Sequence, residues 1–247
     1  MLFNYHTHTS RCNHASGADK EYVEAAIKRG IKTLGFSDHA PYLFPFTDYY
    51  SHFRMSLDEG YEYVESVRAL QKEYEKDIRI LCGFELEYYP LYHAREMQFL
   101  KKFSPDYLIL GQHFVGNEPN GETVRKNQEK YVSQVLEGLK TGDFLYLAHP
   151  DISGFEGDEQ AILQAYRRLC EGAKELDIPV EINLLGLRGG RWYPDERFWK
   201  IASEVGNEVI LGVDAHAPEQ FLHYGDEKKA LELVERLGLK LIDKEIL

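Results

Sequence analysis

The chain has 247 residues, of which 43% are hydrophobic and 28% are charged, and its formal net charge is −12 with histidine counted as neutral. Length and composition fit one large globular domain, and α/β barrels commonly have this size. The negative charge argues against a protein that binds the nucleic-acid backbone, because such proteins neutralise phosphates with Lys and Arg. It is compatible with a small anionic substrate, since a cluster of metal ions can reverse the field within one cleft.

The sequence carries no signal for secretion or for a membrane span. The N-terminus enters an apolar strand at once, without a charged leader, and no long apolar run follows. The three cysteines, Cys12, Cys82 and Cys170, are odd in number and widely spaced. We therefore expect reduced thiols in a cytoplasmic protein that has no membrane partner.

Strand and helix patterns alternate along the chain. Residues 2–5 form the first predicted strand, and a helix at 19–29 follows, with an apolar face and Gly30 as its stop signal. The further predicted strands are 33–36, 78–86, 107–111, 144–148, 179–183 and 209–213. The further predicted helices are 57–74, 92–103, 127–139, 158–175, 195–204 and 228–237. An aromatic segment at 40–56 that contains two prolines is predicted as a loop.

This order of elements predicts an α/β fold of seven βα units in one domain, residues 1–247. We expect the strands to be parallel, because each helix between two strands can serve as the crossover connection that parallel neighbours need. If the sheet closes into a barrel, the carboxyl ends of all strands meet at one face, where barrel enzymes carry their chemistry.

Polar side chains recur where the predicted strands end. His6 and His8 flank Thr7 directly after the first strand, and alternate residues of a strand point to the same side. Further polar residues at or just past strand ends are His39, Glu85, His113, His149, Asn183 and Asp214. Folding alone does not require them, because a buried His or Glu without a partner is costly. The pattern predicts one convergent metal site at the carboxyl ends of the strands.

Six short motifs resemble the polymerase and histidinol phosphatase (PHP) family. They are His-Thr-His at 6–8, Ser-Asp-His at 37–39, Gly-Phe-Glu at 83–85, Gly-Gln-His at 111–113, Ala-His-Pro at 148–150 and Asp-Ala-His at 214–216. They follow the order of the family over nearly the whole chain. The segment at 181–188, Glu-Ile-Asn-Leu-Leu-Gly-Leu-Arg, is most similar to the histidinol-phosphate phosphatase branch, which often has a small hydroxyl residue where Leu184 stands.

The resemblance implies a distorted (β/α)7 barrel that holds three divalent metal ions at the carboxyl ends of the strands. It implies a first ion bound by His6, His8, Glu85 and Asp214, a second ion that Glu85 shares with His113 and His149, and a third ion bound by His14, His39 and His216. Imidazole suits zinc, iron and manganese, and one carboxylate can bridge two ions. A hydroxide shared by two such ions is a strong nucleophile at neutral pH.

The branch resemblance also implies a phosphate-binding arginine at Arg188, whose planar guanidinium can make a two-pronged contact. Arg191 is the alternative, and either arginine could instead pair with Asp195. Asp214 is expected to position the nucleophile and to return a proton to the leaving group. The rings of residues 42–50 are candidates for contacts with a substrate imidazole, and their other interpretation is packing onto the barrel.

Two carboxylates beside the predicted ligands have two interpretations each. Asp38 either supports a metal-binding histidine or caps a turn. Glu87 shares a strand face with Glu85, and it either reaches the rim of the pocket or forms a salt bridge.

The sequence therefore predicts a metal-dependent phosphomonoesterase, with L-histidinol phosphate in histidine biosynthesis as the expected substrate. Alternatives within the same family are another small phosphomonoester, a nucleotide or phosphotyrosine. The alternative from another class is a non-catalytic binding barrel that metal ions stabilise. The expected partner is a small phosphorylated molecule and not a nucleic acid, and the sequence makes no prediction of the oligomeric state.

Overall fold

The computed structural model describes residues 1–44, 48–122 and 124–247. Its strands are β1 (Phe3–Asn4), β2 (Thr33–Phe36), β3 (Arg79–Leu86), β4 (Tyr107–Leu110), β5 (Val180–Asn183), β6 (Glu208–Gly212) and β7 (Lys240–Leu241). Its helices are α1 (Asp19–Arg29), α2 (Leu57–Glu73), α3 (His93–Leu100), α4 (Gln128–Leu139), α5 (Glu159–Glu175), α6 (Leu184–Gly189), α7 (Glu196–Val205) and α8 (Tyr224–Leu237). Short 3-10 turns cover Ser10–Cys12, Lys101–Phe103, Val124–Lys126 and Pro218–Leu222.

The described strands pair in parallel and form two sheets. One sheet has the order β1-β2-β3-β4 and the other has the order β5-β6-β7. Single parallel bridges link them, from Leu110 through Leu147 to Val180 and from Thr7 to Ala215. The predicted α/β class and parallel strands are thus confirmed as a curled half-barrel sheet, while the closed (β/α)7 barrel stays a prediction.

The structure corrects the predicted elements at three places. The predicted strand at 144–148 is less regular than expected, because it forms β-bridges only at Leu147, although backbone hydrogen bonds join residues 145–148 to β4 and to residues 179–181. The chain then turns away at His149, which has a positive φ of 30°. Helix α6 has no counterpart among the predicted helices, and it starts directly after β5 because the side-chain oxygen of Asn183 caps it. Strand β7 also has no predicted counterpart, since two paired residues carry no periodic signal.

Local capping signals set several helix boundaries. Helix α2 begins after Ser56, whose hydroxyl accepts the amide N–H of Glu59 while the Glu59 carboxylate accepts the amide N–H of Ser56. Helix α1 ends at Gly30, whose φ of 90° is a left-handed conformation that glycine adopts without a Cβ clash. The predicted end of this first helix at residue 29 is confirmed.

Two apolar clusters fill the interior. Along β3, Ile80 and Cys82 belong to the larger cluster, which also contains side chains of the surrounding helices, whereas Leu81 belongs to a smaller cluster of strand residues. Glu85 shares the strand face of Leu81, because side chains alternate along a strand. The smaller cluster is therefore the apolar layer that lies below the polar residues at the strand ends. Among the residues that the structure describes, no helix combines the length and apolar character needed to cross a membrane.

Candidate metal centre

The predicted ligands converge on one cavity of about 560 Å³ at the carboxyl ends of the strands. Its walls include His8, His14, His39, Glu85, His113, His149, Asp214 and His216. The ninth predicted ligand, His6, is fully buried directly behind this wall. The fold thus brings predicted ligands from the ends of different strands together around one cavity.

One group of donor atoms surrounds the two histidines that follow β1. The Nε2 atoms of His6 and His8 lie 3.2 Å apart. Both face Glu85 Oε2, at 3.6 and 3.4 Å, and both face Asp214 Oδ1, at 3.5 and 3.1 Å. These four side chains are the residues that the family resemblance implies for the first ion.

Glu85 lies between this group and a second one. While its Oε2 atom faces His6 and His8, its Oε1 atom lies 2.8 Å from His149 Nε2 and 3.8 Å from His113 Nε2. A Cβ on Gly111 would come within 1.8 Å of Glu85 Oε1, so only glycine at that position leaves space for the carboxylate. The geometry is therefore compatible with a carboxylate that serves two ions.

The third predicted set is assembled less tightly. The ring centroids of His14 and His216 are 4.7 Å apart, and those of His14 and His39 are 5.6 Å apart. His39 Nδ1 lies 3.1 Å from Glu85 Oε2, on the side of the other two groups. The donor atoms that gather most closely at this end belong to His8, Cys12 and His216, and Cys12 is absent from the predicted ligands.

Proton affinities in the cluster reflect its buried charges. Burial opposes ionisation of Glu85 and Asp214, yet the surrounding histidines hold the pKa of both carboxyls well below its usual value. Burial also opposes protonation of His6, but three neighbouring carboxylates raise its pKa well above the usual value. Burial and the neighbouring His8 lower the pKa of His216 to about 3. Ionised carboxylates thus lie beside imidazoles. In such an arrangement a divalent cation can take the place of the protons that the imidazole nitrogens and carboxylate oxygens would otherwise share.

The donor set fits divalent cations. Within the described part of the chain, Glu85 Oε2, His149 Nδ1 and Asp214 Oδ1 are buried and form no well-directed hydrogen bond. Buried polar atoms are normally paired with protein, water or an ion, so these atoms point to a cation. Imidazole nitrogens and carboxylate oxygens are ligands that zinc, iron and manganese accept.

Glu181 is a functional candidate that the sequence prediction missed. It is fully buried and accepts a hydrogen bond from His6 Nδ1 at 2.8 Å, which leaves His6 Nε2 free to face the centre. Asn183 donates to both Glu181 and Asp214, at 2.7 and 3.0 Å. The signal was present in the sequence, because Glu181 and Asn183 have the same alternate spacing on β5 as His6 and His8 have after β1.

Asp38 serves both of its predicted purposes. Its carboxylate accepts a hydrogen bond from His8 Nδ1 at 3.2 Å and others from the amide N–H groups of Thr9 and His39, at 3.1 and 2.8 Å. It therefore orients a histidine of the cluster and also fixes the turns on either side of it.

Glu87 forms a buried salt bridge in place of a contact at the rim. Its carboxylate accepts hydrogen bonds from His113 Nδ1 at 2.8 Å and from Arg54 Nη2 at 2.7 Å. Arg54 also donates to Glu118 at 2.6 Å and to the carbonyl oxygen of Ala40 at 3.0 Å. Arg54 and Glu118 are absent from the sequence prediction, and they connect two loops of the rim to a histidine of the centre.

The two predicted phosphate-binding arginines are placed differently. Arg191 is exposed and lines the cavity. Arg188 is largely buried, which lowers its pKa, and its Nη2 atom donates to the backbone carbonyl of Asp214 at 3.2 Å. Asp195 pairs with Arg197 and not with either of these arginines.

Some side chains of the aromatic loop pack against one another, and another lines the cavity. Tyr42 and Phe44 stack on each other with ring centroids 4.9 Å apart, and Tyr42 is buried. Phe53 lines the cavity, and its ring centroid lies 5.1 Å from that of His39. Pro45, Phe46 and Thr47, which belong to the predicted aromatic segment, lie outside the described residues.

A second cavity of about 460 Å³ adjoins the first. The residues that line both cavities are His113, Phe114 and Ile152. The second cavity is also lined by Trp192 and by Arg125, whose guanidinium lies 4.2 Å above the indole ring. A space of mixed lining, with aromatic, apolar and charged side chains, thus adjoins the polar centre.

The family model described as the PHP domain matches residues 4–184 of the chain. The chain belongs to the PHP family. The family resemblance is thereby confirmed, and five of its six motifs lie within the matched residues, whereas Arg188, Arg191 and the motif at 214–216 lie beyond them.

The PHP chain is similar to proteins named for histidinol phosphate chemistry. A “probable histidinol-phosphatase” of Deinococcus radiodurans is 29% identical, over 88% of this chain and 87% of the relative. A protein of the same name in Schizosaccharomyces pombe is 25% identical, over 99% of this chain and 90% of the relative. These similarities support a phosphatase of the PHP family.

A solved structure has the same fold. It is the histidinol phosphate phosphatase of Lactococcus lactis subsp. lactis, complexed with zinc, L-histidinol and phosphate. It superposes with a TM-score of 0.72 over 98% of this chain and 95% of its own chain, at 19% sequence identity. At this level of identity the likeness establishes the α/β fold alone.

Proposed function

We propose that this PHP protein is a metal-dependent phosphomonoesterase whose main substrate is L-histidinol phosphate, in histidine biosynthesis. The observation that carries the proposal is the convergence of histidine and carboxylate donors on one cavity at the strand ends. The names of the relatives support this substrate, and so does the neighbouring structure that holds L-histidinol and phosphate. We also propose that the bridged sheets form one distorted (β/α)7 barrel in a single domain, residues 1–247.

The centre would hold three divalent ions of the zinc, iron or manganese type. The ligands would be His6, His8, Glu85 and Asp214 for the first ion, Glu85, His113 and His149 for the second, and His14, His39 and His216 for the third. Such ions, when bound, neutralise phosphate oxygens and lower the pKa of water so that it can attack phosphorus.

Carboxylates behind the centre would fix the donor atoms. His6 and His113 donate their Nδ1–H groups to Glu181 and Glu87, so each presents Nε2 to the cavity. Asp214 would hold the attacking water through its carboxylate and then return a proton to the leaving alkoxide. These contacts set the direction of attack without requiring a mobile element.

The two arginines would have separate tasks. Arg191 would contact the phosphate, because it lines the cavity and its guanidinium can make a two-pronged contact with two phosphate oxygens. Arg188 would act on the phosphate only indirectly, since it holds the backbone carbonyl of Asp214 and thereby the position of that carboxylate.

The organic part of the substrate would occupy the adjoining cavity. Phe114 and Trp192 line this space, and an imidazole could pack against them, although Arg125 already covers one face of the indole ring. Glu87 is unsuited to the predicted contact with the amino group, because Arg54 and His113 already engage both of its oxygens. Glu122 lines the same cavity, and Lys130 contacts both of its oxygens at 2.9 Å. This pair is exposed and therefore weak, so Glu122 is the carboxylate that could exchange Lys130 for the ammonium group.

A phosphatase assay with a generic chromogenic ester and added manganese tests the proposed reaction. We expect phosphate release that a chelator abolishes and that Glu85→Gln removes, because Glu85 contacts two groups of donors. The exposed Glu171→Gln on α5 is the matched control and should keep full activity. Metal binding without turnover of any ester would contradict the proposal and favour the non-catalytic barrel.

A further inference from the structure

Cys12 lies at the metal centre, although it is absent from the predicted ligands. Its side chain is fully buried at the end of the 3-10 turn Ser10–Cys12. Its Sγ atom, one nitrogen of His8 and one nitrogen of His216 all lie within 4.8 Å of one another. The other cysteines, Cys82 and Cys170, belong instead to the larger apolar cluster.

Local hydrogen bonds fix the position of this thiol. The Thr9 side chain caps the 3-10 turn by accepting the amide N–H of Arg11, and the amide N–H of Cys12 donates to the Thr9 carbonyl at 3.2 Å. His14 follows two residues later and donates its Nδ1–H to the carbonyl oxygen of Cys12 at 2.7 Å. Cys12 and His14 are thus held together by the same turn, with His14 Nε2 left free.

An independent observation also points to a cation at this end of the cavity. Asp214 Oδ1 is buried without a well-directed hydrogen bond, although it lies 3.1 Å from His8 Nε2 and 3.3 Å from His216 Nδ1. His8 and His216 are two of the three side chains that gather around the thiol. A buried carboxylate oxygen in these surroundings is best satisfied by a positive ion.

We infer that the Cys12 thiolate is a ligand of the third divalent ion, beside the predicted histidines His14 and His216. This inference rests on the proposed metal centre and adds a sulfur ligand to it. On binding, the S–H bond breaks, the proton passes to solvent and the sulfur lone pair forms the bond to the ion. The donor atoms of Cys12, His8 and His216 lie within 4.8 Å of one another, so only small shifts are needed for Cys12 and His216 to reach ligand distances around one zinc ion.

A thiolate would give this position a preference that the other two lack. Soft sulfur ligands select zinc over manganese, whereas the first and second groups offer imidazole and carboxylate alone. The third position would therefore retain zinc or cobalt(II) most firmly, and manganese would bind there least well.

Cobalt(II) substitution tests the assignment, because a thiolate bound to cobalt(II) gives a charge-transfer absorption in the near ultraviolet that imidazole and carboxylate ligands do not give. The full chain is stripped with a chelator, reloaded with cobalt(II) and examined by absorption and elemental analysis. We expect the band in the wild-type protein and in the control Cys170→Ala. Cys12→Ala should lose the band and bind one cobalt equivalent fewer.

Cobalt bound in full to the wild-type protein without a charge-transfer band would overturn the role of Cys12 and leave the proposed phosphatase centre intact. A band that persists in Cys12→Ala would also overturn it. Failure of the wild-type protein to bind any cobalt would overturn both this inference and the proposed centre. If Cys12→Ala does not fold, the wild-type and Cys170→Ala spectra still decide, since a ligated Cys12 requires the band in both.

Discussion

Arg54 offers a sharp stability test, because its guanidinium joins two buried carboxylates. It lies 2.7 Å from Glu87 and 2.6 Å from Glu118, and its side chain is 2% exposed while both carboxylates are 0% exposed. Arg54→Met keeps much of the apolar length of the side chain but leaves both buried carboxylates without their guanidinium partner. Glu87 then keeps its contact with His113, and Glu118 keeps a hydrogen bond from the Tyr49 hydroxyl. Removing one partner of a buried ion pair costs about 3–5 kcal/mol, a large part of the roughly 5–15 kcal/mol that stabilises a typical domain.

Chemical denaturation of the metal-free protein measures this loss as a change in the free energy of unfolding. The matched control is Arg168→Met, because Arg168 lies 2.7 Å from Glu129 in a pair whose side chains are 46% and 72% exposed. An exposed pair of this kind contributes less than about 1 kcal/mol. A loss in Arg54→Met no larger than in the control would refute the claim that burial makes the Arg54 pairs strong.

A double variant separates the charge effect from lost packing. Glu118→Gln added to Arg54→Met removes one of the two uncompensated carboxylates, so it should recover part of the lost stability. If the losses of the two single variants simply add, the carboxylates are not destabilised by the absence of Arg54, and the argument from unpaired charge fails.

Four further predictions concern the centre, the arginines beside it and Glu96, a buried residue of α3. Glu85→Ala should lose more than one metal ion, because Glu85 faces two donor groups, and full occupancy by elemental analysis would contradict this. Arg191→Ala should lower kcat/KM about a hundredfold at unchanged metal content, or about 2.7 kcal/mol. Arg188→Ala should instead lower metal content as well, because Arg188 holds the backbone that carries Asp214. A loss of activity in Arg188→Ala at full metal content, beside near-normal kinetics in Arg191→Ala, would return the phosphate contact to Arg188. Burial raises the pKa of Glu96 from 4.5 to about 7, so the folded state binds its proton more tightly. The contribution of Glu96 to the free energy of unfolding should therefore fall by about 3 kcal/mol as pH rises through the interval between these two values, and Glu96→Gln should remove that contribution. Parallel pH curves of unfolding for the wild-type protein and Glu96→Gln would contradict the buried acid.

The positions of the centre could be predicted because strand ends are visible in the sequence. His6 and His8 follow an apolar run with alternate spacing, and the structure places them 3.2 Å apart at Nε2. The sequence does not show how regularly each strand pairs, so the segment at 144–148 is predicted as a full strand, although its backbone hydrogen bonds to β4 and to residues 179–181 form β-bridges only at Leu147. The segment ends at His149, whose positive φ a local sequence pattern does not reveal.

The residues that the prediction missed depend on contacts between distant segments. Arg54 and Glu118 are 64 positions apart, and neither belongs to a motif. Cys12 resembles any small buried residue until the 3-10 turn places it beside His216, far along the chain. Glu181 is the exception, because its alternate spacing with Asn183 could have indicated a second polar strand end.

The measurement that tests the proposed function most directly is the ratio of kcat/KM for L-histidinol phosphate to that for glycerol phosphate, with the metal-loaded protein. The metal ions and Arg191 would contact only the phosphoryl group, which both esters share. A preference for L-histidinol phosphate therefore has to come from the adjoining cavity, which Phe114, Trp192 and Glu122 line. We predict a ratio of at least about a hundred, equivalent to about 2.7 kcal/mol of differential transition-state binding. A ratio near one would contradict the assignment of this substrate, and absence of phosphate release from both esters by protein that holds its metal ions would contradict the phosphatase itself.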